Sequence, residues 1–269
     1  PALLFSGGEP LLRHDVFELM SLSASLGVQP VLSSNGTLLT DEVVGRLTDA
    51  GVARVGVSLD GMEATNDRFR GKAQAFQEAL AGIRRCQDAG FRVSLRFTLT
   101  RDNLAELDDI FSLAEREGIH RLCIYHLAYA GRGRRLRPID LDHHQQREAV
   151  ERIFRCTLEN HERGEELEVL TVDNSTDGPY LMLWAEQHRA EQVPEIQKLL
   201  ARNGGNSAGK GIGCIDERGF VHPDQFWRSK YLGNVRERPF SAIWRDESIP
   251  LLEQLRARHS LLPEVCATC

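Results

Sequence analysis

The chain has no excess of positive charge, no long apolar run and few cysteines, and each lack removes a class of function. Its 33 Lys and Arg face 39 Asp and Glu, a net charge of −6 over 269 residues. A general nucleic-acid binder presents a basic face, so no nucleic-acid partner is expected. No apolar stretch approaches the roughly 20 residues of a membrane-spanning helix, and no leader-like segment opens the sequence. The expectation is a cytoplasmic protein with no membrane partner. The 6 cysteines are too sparse for a disulfide scaffold in a chain of this size. Cys86 shares an apolar helical face with Phe76, Ala79, Leu80 and Ile83, Cys123 sits in an apolar run, and Cys156 lies beside Ile153 and Phe154. These three read as small core residues. Cys266 and Cys269 differ, because two thiols three apart after Pro263 can reach one metal ion or cluster.

With 41% hydrophobic and 27% charged residues, what is present is an ordinary globular composition. Strand-like runs at 3–6, 30–33, 54–59, 93–99 and 122–127 alternate with helical patterns near 13–26, 40–50, 73–89 and 104–117. Thr40 before Asp41 and Glu42 suits a helix N-terminus, and Asn103 with Glu106 has the spacing of a capping box. Repeated strand–helix units imply a parallel α/β sheet with right-handed crossovers. The fold expected is a partial (β/α)6 TIM-like barrel whose first strand lies upstream of Pro1, with a doubly wound sheet as runner-up. After Tyr129 the rhythm breaks into the basic loop Gly131-Arg132-Gly133-Arg134-Arg135 and a long polar helix near 140–163, with a short strand possible at 167–172. Glycines then gather from 204, and a hairpin is expected over 211–222. Three regions follow: a partial barrel over 1–135, a helical linker over 136–202 and a smaller α+β extension over 203–269. The abrupt start at Pro1 and the stop at Cys269 suggest a fragment cut at both ends.

In parallel barrels, functional groups sit in the loops after the strands. The unusual polar residues fall there: Ser6-Gly7-Gly8-Glu9-Pro10, Ser33-Ser34-Asn35-Gly36, Ser58-Leu59-Asp60-Gly61, then Arg96, Thr98, Tyr125, His126 and Tyr129. Each loop taken alone reads equally as a turn. In the first, Gly7 and Gly8 let the backbone approach a ligand and Pro10 fixes the exit. A phosphate cradle would pair glycines with Lys or Arg, whereas Glu9 calls for an ammonium or a metal. The hydroxyls on the next strands could hold a ribose, so the expected ligand has an amino-acid end and a nucleoside end.

At this point the set resembles the radical S-adenosylmethionine (SAM) family. Gly7-Gly8-Glu9-Pro10 is similar to its GGEP motif, which binds the methionyl amino group. The resemblance places Ser33 and Asn35 at the polar positions of the next strand, and Ser58 and Asp60 on the ribose and carboxylate side. It makes Arg70 the partner of the methionyl carboxylate and Leu127 the apolar residue against the adenine. It covers about residues 1–130. The family's CxxxCxxC loop, which holds its catalytic [4Fe–4S] cluster, does not occur in these residues and is expected upstream of Pro1. As written, the polypeptide is not expected to cleave the cofactor reductively.

The C-terminal part resembles the cluster-bearing SPASM or twitch extensions. Cys266 and Cys269 would begin its final cysteine set and hold an auxiliary [4Fe–4S] cluster. Asn206 and Asp224 stand where many members have cysteine, and Cys214 falls on no ligand position. The stretch His222-Pro223-Asp224-Gln225-Phe226-Trp227 narrows the resemblance to the radical enzymes of haem d1 biosynthesis. That implies removal of propionate side chains from 12,18-didecarboxysirohaem through a 5′-deoxyadenosyl radical, with an electron donor such as flavodoxin or ferredoxin. Arg132, Arg134, Arg135 and Arg137 could pair with the carboxylates of that tetrapyrrole. His126 and His222 could ligate iron or bond the substrate, or serve the fold alone. Two alternatives stay open: a peptide maturase with a similar extension, and a barrel that binds a nucleoside or porphyrin without turnover.

Overall fold

The structure is a computed structural model that describes residues 1–267, and its chain divides into two compact units. The first comprises Pro1–Leu127 and Pro138–Asp177. It is built on six parallel strands: β1 (Ala2–Phe5), β2 (Gln29–Ser34), β3 (Arg54–Ser58), β4 (Arg92–Thr98), β5 (Arg121–Tyr125) and β6 (Glu168–Val172). Their spatial order is their sequence order, β1-β2-β3-β4-β5-β6. A doubly wound sheet reverses direction at a switch point, and this one never does, so the barrel reading holds. The sixth strand of the sheet is β6, from the segment expected to be a linker. It falls within the short strand that the sequence suggested at 167–172.

The crossover helices are α1 (Val16–Ser25), α2 (Asp41–Asp49), α3 (Glu63–Arg70), α4 (Ala75–Asp88), α5 (Leu107–Arg116) and α6 (His143–Glu162). Thr40 caps α2 as expected, its hydroxyl accepting the Val43 N–H at 3.3 Å. Asn103 and Glu106 do not form the expected capping box; their side chains hold the β3–α3 loop instead. A capping box does start α6, where Asp142 and Gln145 exchange side-chain-to-backbone bonds.

β4 shows how the sequence sorts the two faces of the sheet. Val93, Leu95 and Phe97 are buried, while Ser94, Arg96 and Thr98 alternate with them and stay half-buried. The apolar set joins Leu32, Val55, Val57, Leu122 and Ile124 in one core with Leu47, Ile83, Ile110 and Ile153 of the helices. Leu95→Ala would cost about 2–5 kcal/mol there. On the other face Ser33, Ser58, Ser94, Arg96 and Thr98 stay half-buried.

The second unit comprises Ala128–Arg137 and the residues from Gly178 onward. It holds α7 (Asp177–His188), α8 (Val193–Asn203), α9 (Phe240–Trp244), α10 (Pro250–Arg256) and α11 (Glu264–Ala267). Its antiparallel sheet has the order β7 (Cys214–Ile215), β8 (Phe220–His222), β9 (Gly233–Asn234). The expected hairpin is therefore present as β7–β8, turned by Gly219 at φ 89°. Val221, Leu232, Ile243 and Leu252 form a small core of their own. Among the described residues no helix is long and apolar enough to cross a membrane.

Candidate active site

All six strands run parallel, so the loops after them share one edge of the sheet. After β1, Gly7 takes φ 139°, a conformation costly for a side chain, and precedes a short 3₁₀ turn, Pro10–Leu12, that Glu9 caps. Gly8 has no such backbone need, and a Cβ built there meets nothing within 4 Å. The Glu9 carboxylate ties this loop to the next. Its Oε1 accepts from Leu11 N at 3.2 Å and Ser34 Oγ at 2.9 Å, and its Oε2 accepts from Asn35 N at 2.8 Å. Oε2 keeps acceptor capacity for a further donor such as an ammonium. The Asn35 side chain turns back on its own loop, accepting from Thr37 N and Thr37 Oγ1 at 2.8 Å each.

Arg96 contributes the site's inner cation. Its Nη1 donates to Ser33 Oγ at 2.6 Å, so a β4 side chain crosses β3 to reach β2. It passes over Gly56, where a Cβ would lie 2.5 Å from Arg96 Nε. That Nε is buried and has no hydrogen-bond partner. Ser58 sits half-buried opposite Arg96 in the β3–β4 register. The sequence reading placed Arg96 among the strand-end polar residues without a role. The available signal was Gly56, a glycine interrupting an apolar strand, which marks a close approach.

Asp60, just after β3, and Arg70, at the end of α3, form an ion pair. Asp60 is only 3% exposed, and its Oδ1 accepts from Thr98 N at 3.0 Å. Burial pushes its carboxyl upward, opposed by the Arg70 charge and the Thr98 N–H. Around it, Asn103 Nδ2 donates to Asp60 O at 3.0 Å, and Glu106 accepts from Met62 N at 2.7 Å and Thr65 Oγ1 at 2.6 Å. The Arg70 Nε is buried without a partner and is the group left to meet an anion. Leu127 lies half-buried in the loop after β5.

At the end of β5, His126 Nε2 lies 2.8 Å from Asp177 Oδ2, both groups buried, and Asn174 Nδ2 holds Asp177 Oδ1 at 2.9 Å. Sequence reasoning flagged His126 but not Asp177, which is distant in the chain. His222 belongs to the second unit's hairpin, with Nδ1 2.6 Å from Lys230 O and Nε2 3.2 Å from Asp216 Oδ2.

Among the described residues, no group of three His, Cys, Asp or Glu is placed to hold a metal. Cys266 is exposed on α11, and Cys269 lies outside the described residues. Cys86 and Cys156 are buried in the core as expected, whereas Cys123, also buried, lies opposite Arg96 in the β4–β5 register, on the face away from the core residues Leu122 and Ile124. Burial pushes Cys86 and Cys156 up to about 12, which keeps both protonated and unfit as ligands. Cys214 lies in β7, as a strand residue.

The parallel six-stranded sheet, with its acidic glycine loop and its arginine at the strand ends, defines the class of partial parallel α/β barrels. Residues 1–114 match the model of the radical SAM superfamily. The chain is 47% identical over 272 aligned residues to Fe-coproporphyrin III synthase of Methanosarcina barkeri, covering 100% of this chain and 68% of that protein. It is 41% identical to pre-haem d1 synthase of Dinoroseobacter shibae, covering 100% of this chain and 67% of that protein. The fold matches Streptococcus suis SuiB bound to S-adenosylmethionine with a TM-score of 0.69 at 15% identity, over 92% of this chain and 55% of that one. The chain belongs to the radical SAM superfamily and is an enzyme related to synthases of haem biosynthesis.

Membership implies S-adenosylmethionine and a [4Fe–4S] cluster. The residues present fit the first. Gly8 opens onto empty space, the Glu9 carboxylate can take an ammonium, and the buried Nε–H groups of Arg70 and Arg96 await an anion. For the cluster, residues 1–269 contain no CxxxCxxC spacing.

Proposed function

We propose that this chain binds S-adenosylmethionine at the ends of β1–β5 and acts on an iron tetrapyrrole, removing propionate side chains from 12,18-didecarboxysirohaem in haem d1 biosynthesis. When bound, the cofactor and its cluster supply a hydrogen-abstracting 5′-deoxyadenosyl radical. The chain's own residues do the positioning. Glu9 with the carbonyls of its loop takes the methionyl ammonium, and Arg96 and Arg70 offer donors to the carboxylate. Ser33, Asn35 and Ser58 offer hydroxyl and amide groups to the ribose side, and Leu127 is the apolar neighbour of the adenine. Asp60 acts by fixing Arg70. Residues 203–269 are read as a SPASM/twitch-like extension in which Cys266 and Cys269 help hold an auxiliary [4Fe–4S] cluster. The setting is cytoplasmic, with flavodoxin or ferredoxin as electron donor.

The observation that carries this reading is the similarity along the whole chain to two synthases whose names both specify iron tetrapyrrole products. The higher identity to the Fe-coproporphyrin III synthase favours a second reading, in which that porphyrin is the product. Anaerobic turnover of the full-length protein, with its CxxxCxxC loop and reconstituted cluster, on 12,18-didecarboxysirohaem, read by mass spectrometry, tests both. Loss of propionates supports the first, and a product matching iron-coproporphyrin III supports the second. Formation of neither, with no 5′-deoxyadenosine released, refutes both.

A further inference from the structure

The second unit carries a cleft of about 320 Å³ lined by Ala128, Tyr129, Ala130, Asp224, Phe226 and Trp227. Three aromatic side chains around two alanines make an apolar surface that the unit's own core leaves uncovered. Tyr129 is 47% exposed and Phe226 39%. Leaving large rings in water is unfavourable unless something covers them. Asp224 explains how two of them are presented. Its Oδ1 accepts from Phe226 N at 2.8 Å and Trp227 N at 2.7 Å, closing a tight turn that sets both residues at the cleft.

Basic side chains flank Tyr129 at the cleft. The Arg137 guanidinium lies 5.6 Å from the centroid of the Tyr129 ring, and Arg134 Nε donates to Tyr129 O at 3.2 Å. Arg134, Arg135 and Arg137 are all exposed. A ligand with a flat conjugated body and carboxylates on its edge meets both features: rings stack on its face, and guanidinium groups pair with its acids. Asp224, which also lines the cleft, repels acids there and so favours the arginines as their partners.

We infer that this cleft is the docking site for one face of the tetrapyrrole, with Tyr129, Phe226 and Trp227 against the macrocycle and Arg134, Arg135 and Arg137 on its carboxylates. The inference rests on the tetrapyrrole reading above and adds the place of binding. At about 320 Å³ the cleft takes a face or an edge of the macrocycle and does not enclose it.

Coproporphyrin III titrated into the protein, followed by its Soret band and tryptophan quenching, tests it. Tyr129→Ala and Phe226→Ala should each weaken binding about tenfold. Tyr231→Ala, at an exposed ring outside the cleft, should leave it unchanged. Asp224→Asn keeps the turn acceptor and should bind as tightly or more tightly, whereas Asp224→Ala should weaken binding. The tetramethyl ester of the porphyrin should bind less well than the acid, and Arg137→Gln should narrow that gap. Thermal melts check that each variant is folded. Full affinity in folded Tyr129→Ala and Phe226→Ala overturns the site while leaving the tetrapyrrole reading intact. No affinity in the parent protein overturns the site, and the turnover assay then decides the reading independently.

Discussion

Gly56→Ala is the sharpest probe of how the barrel interior is built. The added Cβ would stand 2.5 Å from Arg96 Nε and 3.0 Å from its Cζ, closer than a carbon can sit. The obstructed atoms belong to the far end of a long side chain, so the arginine swings aside and the strand survives. It then loses Ser33 Oγ, now 2.6 Å from Nη1, and leaves the position it holds in the barrel. A hydrogen bond to a charged group contributes about 1.5–3 kcal/mol, so S-adenosylmethionine affinity should fall roughly tenfold to a hundredfold. Replacing glycine returns about 0.4–1 kcal/mol by restricting the unfolded chain and offsets part of the lost Ser33 bond, so the melting temperature should fall by only a few degrees. Equilibrium dialysis with S-adenosylmethionine beside a thermal melt reads the two effects separately. Arg96→Lys, which cannot span to Ser33 with the same fork, should show the same loss without a steric change. Unchanged affinity in both variants would refute the role given to Arg96.

Three other outcomes are expected. Glu9→Ala removes the acceptor for Ser34 Oγ, Leu11 N and Asn35 N together, so cofactor affinity should drop at least tenfold while iron per chain stays level; an unaltered dissociation constant contradicts it. Burial alone would raise Asp216, but His222 and the Phe220 and Arg218 N–H groups outweigh it and hold the carboxyl at about 2. Its contribution to stability is therefore complete above the ordinary value of 3.8 and is lost as pH falls toward about 2. Acid unfolding followed by circular dichroism should show that loss, and Asp216→Asn should abolish this component of it. Replacing Cys266 and Cys269 together should lower iron per chain without removing cofactor binding, and an equal iron count refutes the auxiliary cluster.

What the sequence made legible, and what it hid, follows physical lines. β1 to β5 were visible because each is a short apolar run between amphipathic stretches, and parallel pairing puts polar punctuation at one end. α3 was not, since Glu-Ala-Thr-Asn-Asp-Arg-Phe-Arg has little apolar periodicity and is held by tertiary bonds such as Asp60 N to Asn66 Oδ1. Asn103 and Glu106 show the opposite failure: spacing suited to a local cap serves contacts to residues about forty positions away. Glu9 stood out in the sequence as a carboxylate beside two glycines, yet its bond to Asn35 N needs the β1–β2 register to be seen. Arg96 needed both a register and a glycine on the strand it crosses to reach a target two strands away.

The central claim is that the ends of β1–β4 grip S-adenosylmethionine through Glu9 and Arg96. A crystal structure of the protein soaked with S-adenosylmethionine tests it most directly. The account predicts the methionyl ammonium against the Glu9 loop and the carboxylate at the Arg96 guanidinium. Density for the cofactor elsewhere, or contact with neither residue, would contradict it.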